Sequence, residues 1–129
     1  MADYKILLVD DSPLFLRQIK GMLAEKYDVE MATSADKALI MLERVQPDLI
    51  LLDYEMPGTN GRDFLIKLRK MPGYNSIPVI FLTAVADKGH IRNVLALKPS
   101  GYVLKPVSKN ELLKRISDVL GEFDLSSFL

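Results

Sequence analysis

Ile6-Leu7-Leu8-Val9-Asp10-Asp11-Ser12-Pro13 decides the fold. Four apolar residues run without alternation, two carboxylates follow at once, and a serine–proline pair comes next. An unbroken apolar run suits a strand buried on both faces, as in a parallel sheet. Ser12 can cap a helix, and Pro13 fits the first helical position, where its missing N–H costs nothing. Leu16, Ile19, Met22 and Leu23 then recur at three- and four-residue spacing. The stretch reads as strand, acidic turn, helix.

The same order recurs four more times. Leu49–Leu52 and Val79–Leu82 are further unbroken apolar runs, and Tyr102-Val103-Leu104 is a shorter one. Val29-Glu30-Met31-Ala32 alternates and reads as a strand nearer an edge. Ser34 opens a second helix carrying Ala38, Leu39, Leu42 and Val45, ended by Pro47. Gly61 to Met71 predicts a third helix with Phe64, Leu65 and Leu68 inward, and Asp87 to Leu97 a fourth. Ser108 and Glu111 form a capping box for a fifth helix, which Gly121 stops. Five strand–helix units predict an α/β fold in a single domain. The sheet is doubly wound, flavodoxin-like, parallel and five-stranded, in the order 2-1-3-4-5, with five helices. Residues 1–121 make the domain; residues 122–129 read as a tail or the start of a linker.

The chain has 129 residues, and 17 lysines and arginines balance 17 aspartates and glutamates. That neutrality argues against a broad basic field for nucleic acid. With no cysteine and one histidine, thiolate metal sites and two-imidazole sites from this chain are excluded. No leader pattern and no long apolar run is seen, so no membrane association is expected and a cytoplasmic setting is.

The chemistry gathers where the apolar runs end. Asp10 and Asp11 follow the first run, Asp53 the third in chain order, Thr83 the fourth and Lys105 the fifth. Ligands of open parallel sheets bind at the carboxyl ends of strands, beside the switch in strand order. Three carboxylates brought together there repel unless a cation relieves them. An all-oxygen set suits magnesium, with manganese as the alternative. Metal, ammonium and hydroxyl are what a transferring phosphoryl group needs, and a carboxylate can itself be the nucleophile. Asp53 is the best candidate for that role. Each of the five residues alone would be an ordinary cap or turn residue; the set is what points to a site.

The segments I-L-L-V-D-D-S from Ile6, L-L-D-Y-E-M-P-G-T-N-G from Leu51, I-F-L-T-A from Ile80 and G-Y-V-L-K-P from Gly101 resemble the two-component response-regulator receiver domains, the family of the chemotaxis response regulator. The resemblance implies that Asp53 is the phosphoacceptor. It implies that Asp11 binds Mg2+ directly, Asp10 largely through water, and Glu55 through its backbone carbonyl. Thr83 would hydrogen-bond the phosphoryl group, Lys105 would pair with it, and the bond before Pro106 would be cis. Thr83 and Tyr102 would switch together, altering the face made by the fourth helix, fifth strand and fifth helix. The implied partners are a histidine kinase or histidine phosphotransfer protein and an output partner or domain, with phosphorylation-dependent homodimerisation left open. Such a domain is not a conventional enzyme; it catalyses its own phosphoryl transfer and dephosphorylation. The chain departs from the commoner pattern at Lys98-Pro99-Ser100, and Glu55 and Val85 stand where the family tunes phosphoryl lifetime.

Three other features read as structural. His90 is expected on an exposed helix face away from the carboxylate rim. Gly58, Asn60 and Gly61 read as a turn into the third helix, and Lys67, Arg69 and Lys70 as a solvated helix end. Other functions stay open from the residues alone. A haloacid-dehalogenase-type phosphohydrolase would call for D-x-D where adjacent aspartates stand, and a flavodoxin relative for an uncharged hydroxyl-rich loop. A receiver-like docking domain would not need the metal ligands and the lysine.

Overall fold

The computed structural model describes residues 4–84 and 86–121; residues 1–3, Val85 and the segment 122–129 lie outside the described residues. The chain alternates strand and helix five times: β1 (Lys5–Val9), α1 (Pro13–Leu23), β2 (Asp28–Ala32), α2 (Ala35–Met41), β3 (Leu49–Asp53), α3 (Gly61–Arg69), β4 (Val79–Thr83), α4 (Lys88–Ala96), β5 (Gly101–Leu104) and α5 (Lys109–Leu120). The strands pair in parallel in the order β2-β1-β3-β4-β5, as the alternation predicts. No helix among the described residues is long and apolar enough to cross a membrane.

Helices cover both sheet faces, and the period-2 alternation of each strand divides the core between them. Leu7, Val9, Ile50, Leu52, Val79 and Phe81 pack with residues of α2, α3 and α4. Ile6, Leu8, Leu49, Leu51, Ile80, Leu82 and Val103 pack with residues of α1 and α5. Both faces are apolar, which explains why the central strands read as unbroken runs. The caps form as expected: Ser12, Ser34 and Ser108 accept N–H bonds from Phe15, Lys37 and Glu111.

Three boundaries or environments differ from expectation. Helix α2 stops at Met41, and Leu42–Arg44 continue as turns held by the Val45 N–H on Met41 O at 2.8 Å. Pro47 lacks an N–H, and the chain must extend before β3, so the last periodic residues pack without staying helical. Helix α3 ends at Arg69, with Met71 in the turn that follows. Arg69 is not a solvated terminus: it is half-buried and donates from Nη1 to Tyr74 O at 3.2 Å. The departure at Lys98-Pro99-Ser100 forms a tight exit from α4, with Lys98 at φ 54° and the Ser100 N–H on Val79 O at 2.8 Å.

Gly61 fixes how closely α3 meets the end of β3. A Cβ there would lie 2.5 Å from Asp53 O and 2.8 Å from Tyr54 Cα, both backbone atoms. The Gly61 N–H donates to Tyr54 O at 2.9 Å across the same contact. Gly61→Ala is expected to destabilise the fold by about 1–3 kcal/mol through overpacking. Gly21→Ala, inside α1 with nothing within 4 Å, is expected to stabilise by roughly 0.5–1 kcal/mol. Urea unfolding of the two variants beside the parent protein checks the pair.

Candidate functional site

Strand alternation carries past the strand ends and sorts the rim. Asp10, Asp53 and Lys105 continue the parity of Leu8, Leu51 and Val103, toward the α1/α5 face. Thr83 continues that of Phe81, toward α3 and α4. The structure brings the first three into direct contact. Lys105 Nζ lies 2.8 Å from Asp10 Oδ2 and 3.5 Å from Asp53 Oδ1. Asp10 and Asp53 are buried and Asp11 is exposed, with one carboxylate oxygen from each within 4.8 Å of the others.

Local backbone geometry holds these groups. Asp10 Oδ1 accepts the Ser12 N–H at 2.9 Å, so the turn that starts α1 also orients the carboxylate. Asp53 Oδ1 accepts the Glu55 N–H at 3.3 Å, while the Glu55 side chain is exposed. Lys105 follows β5, its N–H donating to Thr83 O at 2.8 Å, and a cis bond joins it to Pro106. Its ammonium also lies 4.1 Å from the centroid of the Phe15 ring, a favourable cation–π contact. Both contacts to Asp53 fall on Oδ1.

Burial is the main cause that raises the Asp53 carboxyl, from 3.8 to about 6. The Asp10 charge adds to it, Lys105 and the Glu55 N–H oppose it, and Asp11 adds further. Three carboxylates against one ammonium leave the rim short of positive charge.

Thr83 is buried at the end of β4, and its Oγ1 lies 3.1 Å from His90 Nε2. This corrects the expectation for His90, which is half-buried and touches the rim through Thr83 and Tyr54. A signal was present: His90 is three residues after Asp87, whose Oδ1 accepts its backbone N–H as the N-cap of α4. A first-turn residue of a helix that starts so soon after a strand lies over that strand's end. Tyr102 is half-buried on β5 and packs against the α2–α4 side of the core. Phe15 was missed as a site neighbour, because periodicity marks it only as flanking the buried stripe of α1.

Residues 6–117 match the family model described as the response regulator receiver domain. The chain belongs to that family. The receiver domain of a Pseudomonas aeruginosa sensor histidine kinase, solved with a magnesium ion coordinated in its active-site cleft, is 30% identical. That match covers 94% of this chain and all of that one, at a TM-score of 0.85. The Vibrio cholerae chemotaxis protein CheY4 is 29% identical over 92% of this chain and 98% of its own, at a TM-score of 0.84. The protein-glutamate methylesterase/protein-glutamine glutaminase of Trichodesmium erythraeum is 36% identical over 121 residues, which span 90% of this chain and 34% of that protein. The chain spans about a third to a half of the length of the curated relatives it matches first. Membership separates the chain from the phosphohydrolase and flavin-binding readings.

The raised Asp53 carboxyl makes a stability prediction for the metal-free receiver. The folded state holds the Asp53 proton more tightly than the unfolded state, so the resulting stability is present below about pH 3.8 and is lost as pH rises to about 6. Asp53→Asn carries no charge and avoids that loss. In chelator at about pH 8 the variant is expected to be more stable than the parent by on the order of 2–3 kcal/mol. The gap narrows toward about pH 4. Urea unfolding at both pH values checks this, and a parent at least as stable as Asp53→Asn at about pH 8 contradicts it.

Proposed function

We propose that this receiver domain is a phosphorylation switch whose acceptor is Asp53. The observation that carries the reading is a buried carboxylate with one oxygen held by Lys105 and the Glu55 amide, clustered with the carboxylates of Asp10 and Asp11. The Oδ2 lone pair attacks the phosphorus of a phosphohistidine on a histidine kinase or histidine phosphotransfer protein. An O–P bond forms, the P–N bond breaks, and the leaving imidazole keeps the electron pair and takes up a proton. Lys105 supplies positive charge to the phosphoryl oxygens, and the Thr83 hydroxyl supplies a donor. The domain catalyses its own phosphoryl transfer and the later hydrolysis.

The donor set fits a hard divalent cation. Asp10, Asp11 and Asp53 offer clustered carboxylate oxygens, and the charges of Asp10 and Asp11 add to the burial that raises Asp53. Magnesium would be held by these three residues and the Glu55 carbonyl, with manganese as a substitute. When bound it supplies charge neutralisation for the phosphoryl oxygens. The altered output surface is that of α4, β5 and α5, with Tyr102 on β5 moving in concert with Thr83.

Incubation with acetyl phosphate and Mg2+ is expected to give one phosphoryl adduct by intact mass. Chelator or Asp53→Asn abolishes it, and Lys105→Ala slows its formation by at least ten-fold. An adduct that survives Asp53→Asn defeats the assignment.

A further inference from the structure

His90 stands on the first turn of α4, and its imidazole reaches two strand ends. Its Nε2 lies 3.1 Å from Thr83 Oγ1 at the end of β4. Its ring meets Tyr54 edge-on with centroids 4.6 Å apart, at the residue that follows Asp53. Tyr54 in turn sits edge-on to the buried Phe81 at 5.3 Å. The His90 N–H donates to Asp87 Oδ1 at 3.0 Å, so the helix cap sets where the side chain begins. A half-buried ring held by a cap, an aromatic neighbour and a hydroxyl has little rotamer freedom.

A threonine hydroxyl carries one proton and gives it to one acceptor at a time, and a neutral imidazole presents one bare ring nitrogen. We propose that His90 is a positioning residue that latches Thr83. The hydroxyl donates to His90 Nε2 in the unphosphorylated protein and must leave that bond before it donates to a phosphoryl oxygen. The inference rests on the roles of Asp53 and Thr83 proposed above. Its consequence is a direct link between the rim and α4: filling the site costs the first turn of the helix a hydrogen bond to β4, while the Tyr54 contact stays. One neutral hydrogen bond tunes how readily the site fills and does not decide whether it fills.

The chain has one histidine, so a single imidazole reports on the latch. Nitrogen-15 spectra at about pH 8, where imidazoles are ordinarily neutral, are expected to show a bare Nε2 and a protonated Nδ1. A protonated Nε2 overturns the proposal. Beryllofluoride with Mg2+ serves as the phosphoryl mimic. His90→Phe keeps a ring against Tyr54 and removes the acceptor, and is expected to tighten the apparent Kd about three- to ten-fold. His90→Gln, whose amide oxygen still accepts, stays within about two-fold of the parent. In a Thr83→Val background His90→Phe has no further effect, which separates a latch from a packing change. An unchanged or weakened Kd in His90→Phe overturns the latch, as does the same tightening in the Thr83→Val background. His90→Ala has the same expected direction and replaces the Phe variant should that one not fold. Asp53→Asn tests the underlying reading separately: mimic binding that persists there removes Asp53 as acceptor, whereas its loss there with no effect of His90→Phe removes the latch alone.

Discussion

The Lys105 ammonium lies 2.8 Å from Asp10 Oδ2 and 3.5 Å from Asp53 Oδ1. Both carboxylates are nearly enclosed, and Asp11 brings a third within 4.8 Å. Like charges at that spacing repel more strongly at a buried rim than in water, and one ammonium cannot neutralise three carboxylates. A looser scaffold would relieve the repulsion by letting the side chains turn out into solvent. Here the escape is blocked: the amides of Ser12 and Glu55 hold Asp10 and Asp53, and Phe15 lies against Lys105. Gly61 lets α3 close on the backbone of Asp53 and Tyr54. Burial first, and the neighbouring carboxylates after it, hold the Asp53 carboxyl above its usual range.

Much of this was legible in the sequence because two periodicities carry it. Unbroken apolar runs in β1, β3 and β4 meant burial on both faces, hence a parallel sheet and a ligand rim at its carboxyl ends. The residue ending each run was then a rim residue, and Asp10, Asp11, Asp53 and Lys105 do meet. Parity refines this further. Asp10, Asp53 and Lys105 fall toward α1 and α5, whereas Thr83 falls toward α3 and α4, so the rim has two sides.

What periodicity could not show were contacts that depend on how a loop returns the chain. His90 looked like an exposed helix residue away from the carboxylate rim, yet the cap at Asp87 turns α4 back over Thr83 and Tyr54. Arg69 looked like the solvated end of a basic run, yet the turn after α3 brings the Tyr74 carbonyl to it. The apolar positions of α2 continued to Val45, but packing an apolar residue does not require it to be helical. In each case the side chain was read from its own element, and its partner came from another.

Excess negative charge makes a good cation site but does not by itself make a switch. A ligand moves a two-state equilibrium only by the difference in its affinity for the two states. A cation held by carboxylates on a rigid rim meets the same groups in both, so it contributes little to the difference. A phosphoryl group brings close to two further negative charges, and on the proposed reading it must draw on groups already engaged. Lys105 is shared between Asp10 and Asp53, and Thr83 is hydrogen-bonded to His90. Near-complete switching takes about 5.5 kcal/mol of differential interaction, while a neutral hydrogen bond contributes about 1 and a charged one about 1.5–3. No single contact is enough. The two groups stand after adjacent strands on opposite sides of the sheet, one leading into α5 and the other bonded to α4. The new charge therefore acts on both helices that flank β5, and the two contacts together are of a size to supply roughly half to three-quarters of the required difference.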